Sequence, residues 1–199
     1  MKAIIFDFDR VCTIPTDPKL ITDIIAEEYE LSREKVEQAI KQYDHAYLTG
    51  KISNGFFVES IAQDLDIDLP EVLFNEKFFY ERKIDTNLLD VIQKIRKKYS
   101  TYLATNNFAE MKKRITTPLK AYFDGFFFSC DLGHTKDERE FFEQLLESVS
   151  IKGEECLFID DKVKNIEVAK QCGMQIIHYN TSLHTLDYLK EKLQKNEIL

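Results

Sequence analysis

The placement of its acidic residues constrains this chain more than any other feature, because carboxylates and amides stand directly behind short apolar runs. The runs AIIFDF (3–8), TYLAT (101–105), FFFS (126–129), CLFI (156–159) and QIIH (175–178) each read as a buried parallel strand. Asp7 and Asp9 close the first, Thr105-Asn106-Asn107 the second, and Asp160-Asp161 the fourth. Carboxylates crowded at neighbouring strand ends repel one another unless a cation or a shared proton offsets the charge. That pattern predicts a hard divalent metal with all-oxygen ligation, for which Mg²⁺ is the natural choice. Simple helix capping explains one polar strand end, but three together ask for more.

Past residue 84, helical patterns separate the strands. One runs from Thr86, as N-cap, to Tyr99 with Leu88, Leu89, Ile92 and Ile95 on one face, and a second from Asp137 to Val149. A third spans Lys162 to Cys172, where Gly173 is a natural stop, and a last one begins at Ser182. Strand and helix in alternation predict an α/β fold with an open parallel sheet. Residues 15–84 differ, with no good strand and four helix starts at Asp17-Pro18, Ser32, Ser53 and Pro70. The expected organisation is therefore a core of residues 1–14 and 85–199 with a helical cap of residues 15–84 inserted after the first strand. Ligands of such sheets bind at the carboxyl ends of the strands, so the insertion is placed to act as a lid.

The same residues suggest phosphoryl transfer. Asp7 is the expected nucleophile, since a carboxylate beside Mg²⁺ can attack phosphorus and split one displacement into two. Asp9, two residues on, is the expected acid and base, while the Thr105 hydroxyl and the Lys136 ammonium are donors for the phosphoryl oxygens. His45, with Tyr43 and Tyr47 near the end of a cap helix, is a candidate to face substrate, helix packing being the alternative.

Composition narrows the classes. Lys plus Arg number 27 against 35 Asp plus Glu, a net charge of -8, which argues against a phosphate-backbone binder of nucleic acid. With 44% hydrophobic and 31% charged residues the 199-residue chain is globular. No run approaches a membrane span, and Ala3-Ile4-Ile5-Phe6 is too short for a signal sequence, so a cytoplasmic setting with no membrane partner is expected. Cys12, Cys130, Cys156 and Cys172 form no CxxC pair and read as reduced thiols. The sequence Asp64-Leu65-Asp66-Ile67-Asp68 opens like a calcium loop but has Leu69 and Asn75 where glycine and glutamate are required. His178 lies in an apolar strand and reads as structural. Phe74, Phe78 and Phe79 suit either the interior of the cap or a dimer contact, which leaves a monomer and a homodimer both open.

The runs AIIFDFDRV, YLATNN, LGHTKDEREFFEQLL and CLFIDDKVKNIEVAKQCGM, in that order, resemble the four motifs of the haloacid dehalogenase-like (HAD) hydrolase superfamily. With SCDLGHTK and TGKISNGFF, the chain looks most similar to helical-cap members that are small sugar-phosphate phosphatases, such as glucose-1-phosphate phosphatase and the phosphatase domain of soluble epoxide hydrolase. The resemblance implies a Rossmann-like core and a small phosphorylated metabolite as substrate. It makes Asp7, Asp9 (through its carbonyl), Asp161 and Asp160 metal-binding, Thr105, Asn106 and Lys136 phosphoryl-binding, and Asn165 a brace. Two positions depart from the family pattern: Arg10 replaces a common glycine and Asp137 a common proline. Arg10 would crowd the phosphate loop or pair with an anionic substrate. The expected activity is a Mg²⁺-dependent phosphatase working through an aspartyl-phosphate. A phosphomutase of the same fold and a catalytically silent phospho-ligand binding module are the rivals; a dehalogenase would leave Asp160-Asp161 without a purpose.

Overall fold

A computed structural model describes residues 1–14, 21–71 and 82–199. The helix start at Asp17-Pro18, most of the helix expected beyond Pro70, and Phe74, Asn75, Phe78 and Phe79 lie outside the described residues.

Five strands, β1 (Ala3–Phe6), β2 (Ser100–Thr105), β3 (Gly125–Phe128), β4 (Cys156–Asp160) and β5 (Gln175–His178), form one sheet in the order β3-β2-β1-β4-β5. Every pairing is parallel, as the continuous apolar runs require once both faces are covered. The chain leaves β1 for β2 and β3 on one side and crosses back to β4 and β5 on the other. The order of strands reverses between β1 and β4, where open α/β sheets form their ligand crevice.

Alternation along the strands sorts side chains onto two faces. Ile4, Phe6, Leu157 and Ile159 enter one buried cluster with Leu88 and Ile92 of α4 (Thr86–Ile95), Ile115 of α5 (Lys112–Leu119) and Leu189 of α8 (Leu186–Lys195). Ala3, Ile5, Cys156 and Phe158 enter the other with Phe141 and Phe142 of α6 (Arg139–Val149) and Ala169 of α7 (Val163–Gln171). Between β1 and α4 come α1 (Ile21–Glu28), α2 (Arg33–Leu48) and α3 (Asn54–Leu65). Their apolar residues Ile25, Val36, Phe57 and Ile61 continue the first cluster.

Several boundaries differ from the sequence reading. Ser32 and Ser53 cap α2 and α3, their hydroxyls accepting from the N–H groups of Lys35 and Phe56. The cap of α4, however, is Asp85 rather than Thr86, because its carboxylate takes both the Asn87 and Leu88 amides. Thr185 rather than Ser182 starts α8; the Ser182 amide is committed to Asn180 Oδ1 in the preceding turn. Strand β1 stops at Phe6, two residues early, as the next residues wind into a tight π-type turn, Phe8–Cys12. The segments on either side of α1–α3 pair with each other: Ile14 N–H donates to Lys83 O at 2.8 Å and Asp85 N–H to Cys12 O at 2.9 Å.

Candidate active site

Register alone gathers the acidic strand ends. Phe6 is level with Leu103 on β2 and Ile159 on β4, so Asp7 emerges beside the last residues of both neighbours, Thr105 and Asp160. The Asp7 amide still donates to Ile159 O at 2.9 Å, while its Oδ1 accepts from Phe8 N–H at 2.7 Å.

Lys136 joins the two carboxylates. Its ammonium, with the side chain 2% exposed, lies 2.5 Å from Asp7 Oδ1 and 2.7 Å from Asp160 Oδ2. Asn106 fixes the loop that delivers it, accepting from Lys136 N–H through Oδ1 at 2.9 Å. Asp160 has further donors: Lys162 N–H at 2.7 Å and Asn165 Nδ2 at 3.1 Å from each carboxylate oxygen. Asn165 is thus a brace for Asp160.

One carboxylate oxygen from each of Asp7, Asp160 and Asp161 lies within 4.8 Å of the other two, and all three residues are buried. Burial, then the Asp160 charge, push the Asp7 carboxyl well above its ordinary pKa, with Lys136 opposing. Burial and Asp160 likewise raise Asp161. Burial disfavours the charged form of Lys136, but Asp160 and Asp7 more than offset it and hold the lysine charged. Three buried carboxylates around one ammonium leave a surplus of negative charge facing one point. Hard oxygen donors with uncompensated charge suit a divalent cation such as Mg²⁺.

Asp9 stands apart from this trio. Its carboxylate bonds to Arg82 Nε through Oδ1 and accepts from Asn107 Nδ2 at 3.3 Å through Oδ2. Asn107 also donates to Thr105 Oγ1 at 2.7 Å, so the Thr105 hydroxyl keeps its own proton for another acceptor. Sequence reasoning missed Arg82 altogether. It stands three residues before Asp85, on the segment returning from the insertion, and only the pairing of that segment with residues 12–14 brings it to Asp9.

The remaining candidates differ in setting. Arg10, in a left-handed conformation (φ 59°), directs its guanidinium to Asp161, with Nη1 at 3.8 Å from Oδ2. His45 Nε2 is 3.1 Å from Glu138 Oε2, linking the end of α2 to the loop that follows Lys136. Tyr47 is packed inside: its ring stacks between Phe57 and Phe108 at 4.2 and 4.5 Å, and its hydroxyl donates to Asn54 Oδ1 at 2.7 Å and Glu110 Oε2 at 3.2 Å. His178 Nε2 is 2.9 Å from the Asp161 carbonyl.

Residues 1–173 match the family model described as haloacid dehalogenase-like hydrolase. The chain belongs to this family. Its relatives in the HAD-like family include bifunctional epoxide hydrolase 2 of Sus scrofa, 25% identical over 89% of this chain and 36% of that protein. D-ribitol-5-phosphate phosphatase of Bacteroides thetaiotaomicron is 32% identical over 49% of this chain and 50% of that enzyme. The chain thus spans about a third and a half of these relatives. A HAD family enzyme from Bacteroides thetaiotaomicron, solved with magnesium and inorganic phosphate, superimposes with a TM-score of 0.76 over 95% of this chain and 98% of that one, at 19% identity. A 2-haloacid dehalogenase from Pseudomonas syringae has the same fold, with a TM-score of 0.66 and 17% identity over 93% and 89% of the two chains. Among the described residues, no helix is long and apolar enough to cross a membrane.

Proposed function

We propose that this HAD-like hydrolase is a Mg²⁺-dependent phosphatase that cleaves a small, sugar-like phosphomonoester through an aspartyl-phosphate on Asp7. The observation that carries the reading is the state of Asp7. Among the described residues, its Oδ1 is held by Phe8 N–H and Lys136, and Oδ2 has no hydrogen-bond donor. An aimed carboxylate with one free oxygen is what an in-line attack on phosphorus requires.

In the first transfer, Asp7 Oδ2 forms a bond to phosphorus as the ester P–O bond breaks, and Asp9 gives its proton to the departing alcohol oxygen. In the second, water attacks the phosphorus of the acyl phosphate while Asp9 takes the proton, and inorganic phosphate leaves with the Asp7 carboxylate restored. The Lys136 ammonium and the Thr105 hydroxyl meet the charge on the phosphoryl oxygens. Mg²⁺, held by Asp7, Asp161 and the Asp9 carbonyl with support from Asp160, would supply further neutralisation of that charge.

Residues 15–84 serve as the lid. Two contacts tie the insertion to the core beside the site: Ser129 Oγ donates to Leu48 O at 2.6 Å, and His45 meets Glu138. Closure of this kind excludes water during the first transfer and admits it for the second. One relative, D-ribitol-5-phosphate phosphatase, supports a polyol or sugar phosphate as substrate.

The test is release of inorganic phosphate from an aryl phosphate and from a panel of sugar and polyol phosphates, with Mg²⁺ or excess chelator. Metal-dependent release supports the reading. An isomerised sugar phosphate without release identifies a mutase, and absence of any turnover identifies a silent module.

A further inference from the structure

We infer that Arg10 is a built-in counter-cation of the carboxylate trio, occupying Asp161 until Mg²⁺ displaces it, so that Arg10 sets how much Mg²⁺ the protein requires. The inference rests on the reading of Asp7, Asp160 and Asp161 as a Mg²⁺ site.

Arg10 is held where it is by its backbone. Its φ of 59° is a conformation that residues with a Cβ avoid. Three hydrogen bonds enforce it: Arg10 N–H donates to Thr13 Oγ1 at 2.9 Å, and Arg10 O accepts from Thr181 N–H at 2.9 Å and Thr181 Oγ1 at 3.1 Å. The side chain therefore starts from a fixed point beside Asp161.

The two partners differ in freedom. The Asp161 side chain is 4% exposed and points into the trio, whereas the Arg10 side chain is 62% exposed. Asp161 cannot leave, but the guanidinium can swing into water at little cost. Among the described residues, Arg10 is the cation in ion-pair range of Asp161, at 3.8 Å; Lys136 is engaged with Asp7 and Asp160, and the Lys162 charge acts on Asp161 from beyond that range.

Mg²⁺ and Arg10 therefore compete for the same carboxylate. An ion touching an Asp161 oxygen would stand within a few ångströms of the guanidinium, and like charges at that distance repel strongly in a partly buried site. Binding of Mg²⁺ must push the guanidinium out, and the affinity is lower than the same three carboxylates would give alone.

The experiment is a titration with Mg²⁺ alone, read by calorimetry and by the metal-induced rise in Tm, for wild type, Arg10→Gln, Arg10→Gly and Arg10→Lys. Partly exposed ion pairs are modest, so Arg10→Gln and Arg10→Gly should bind Mg²⁺ about three- to tenfold more tightly, with Arg10→Lys near wild type. Arg10→Gly also relieves the backbone and raises the metal-free Tm, which Arg10→Gln does not; agreement of their Mg²⁺ constants isolates the charge. Wild-type affinity retained or weakened in both Arg10→Gln and Arg10→Gly overturns the inference and leaves the metal site standing. No Mg²⁺ binding by wild type or any variant overturns the metal site and the inference with it.

Discussion

The Lys136 ammonium lies 2.5 Å from Asp7 Oδ1, a contact between a nearly inaccessible lysine and the carboxylate proposed as nucleophile. The same ammonium is shared with Asp160 at 2.7 Å, so one cation offsets two buried charges. Lys136→Met leaves both carboxylates without it. Loss of one partner from a buried pair costs about 3–5 kcal/mol, so the variant should lose that much stability in urea as well as its turnover. Adding Asp7→Asn removes one of the stranded charges and should recover part of the stability but none of the activity.

Arg82 is predicted to orient Asp9. With Arg82→Gln the carboxylate keeps, among the described residues, the Asn107 bond of 3.3 Å. Steady-state kinetics should show kcat falling by about tenfold, equivalent to roughly 1.4 kcal/mol, with a smaller change in KM. An unchanged kcat would mean that the ion pair does not survive in the reacting complex.

Gly50 lies against the Cys130 backbone. It has φ 70°, and a Cβ there would meet the Cys130 carbonyl oxygen at 2.5 Å. Gly50→Ala should cost roughly 1–3 kcal/mol in thermal or urea unfolding, combining backbone strain with the clash. Since α2 must shift to relieve it, KM should rise more than kcat falls.

Much of this architecture is legible in the sequence, because its determinants are local. The strands were visible as apolar runs, and the α2 and α3 starts through Ser32 and Ser53, whose hydroxyls take amides three residues on. Where two capping residues adjoin, as at Asp85-Thr86, the pattern does not say which accepts; the structure selects the one whose carboxylate takes two amides. Helix α5 left only a faint signature, with Ile115 and Leu119 as its buried residues and Pro118 within it. The acidic strand ends converge because register places them so, and the motif order anticipated that. Arg82 had no local sign, since its partner Asp9 is 73 residues away. In the sequence Tyr47 is a candidate either to face substrate or to pack, and helix periodicity cannot reveal that Phe57 and Phe108 enclose its ring.

Acid should loosen the far edge of the sheet. Burial disfavours the Asp124 charge, but Arg96 and the Thr101 amide outweigh it and hold the carboxyl below its ordinary pKa of 3.8. A depressed folded-state pKa gives stability that is complete above the ordinary value and is lost as pH falls through the folded one. Partly exposed to solvent, the pair should contribute about 0.5–1 kcal/mol. Asp124→Asn should therefore be less stable than wild type at neutral pH, with the two unfolding curves converging below pH ~3.

The most direct test of the account is rapid acid quench of the enzyme mixed with Mg²⁺ and an aryl phosphate, followed by mass spectrometry of the peptides. A phosphoryl adduct should appear on Asp7 with the burst of alcohol, decay with turnover, and be absent from Asp7→Asn, which should also release no phosphate. Full phosphate release by Asp7→Asn, or an adduct on any other residue, would contradict it.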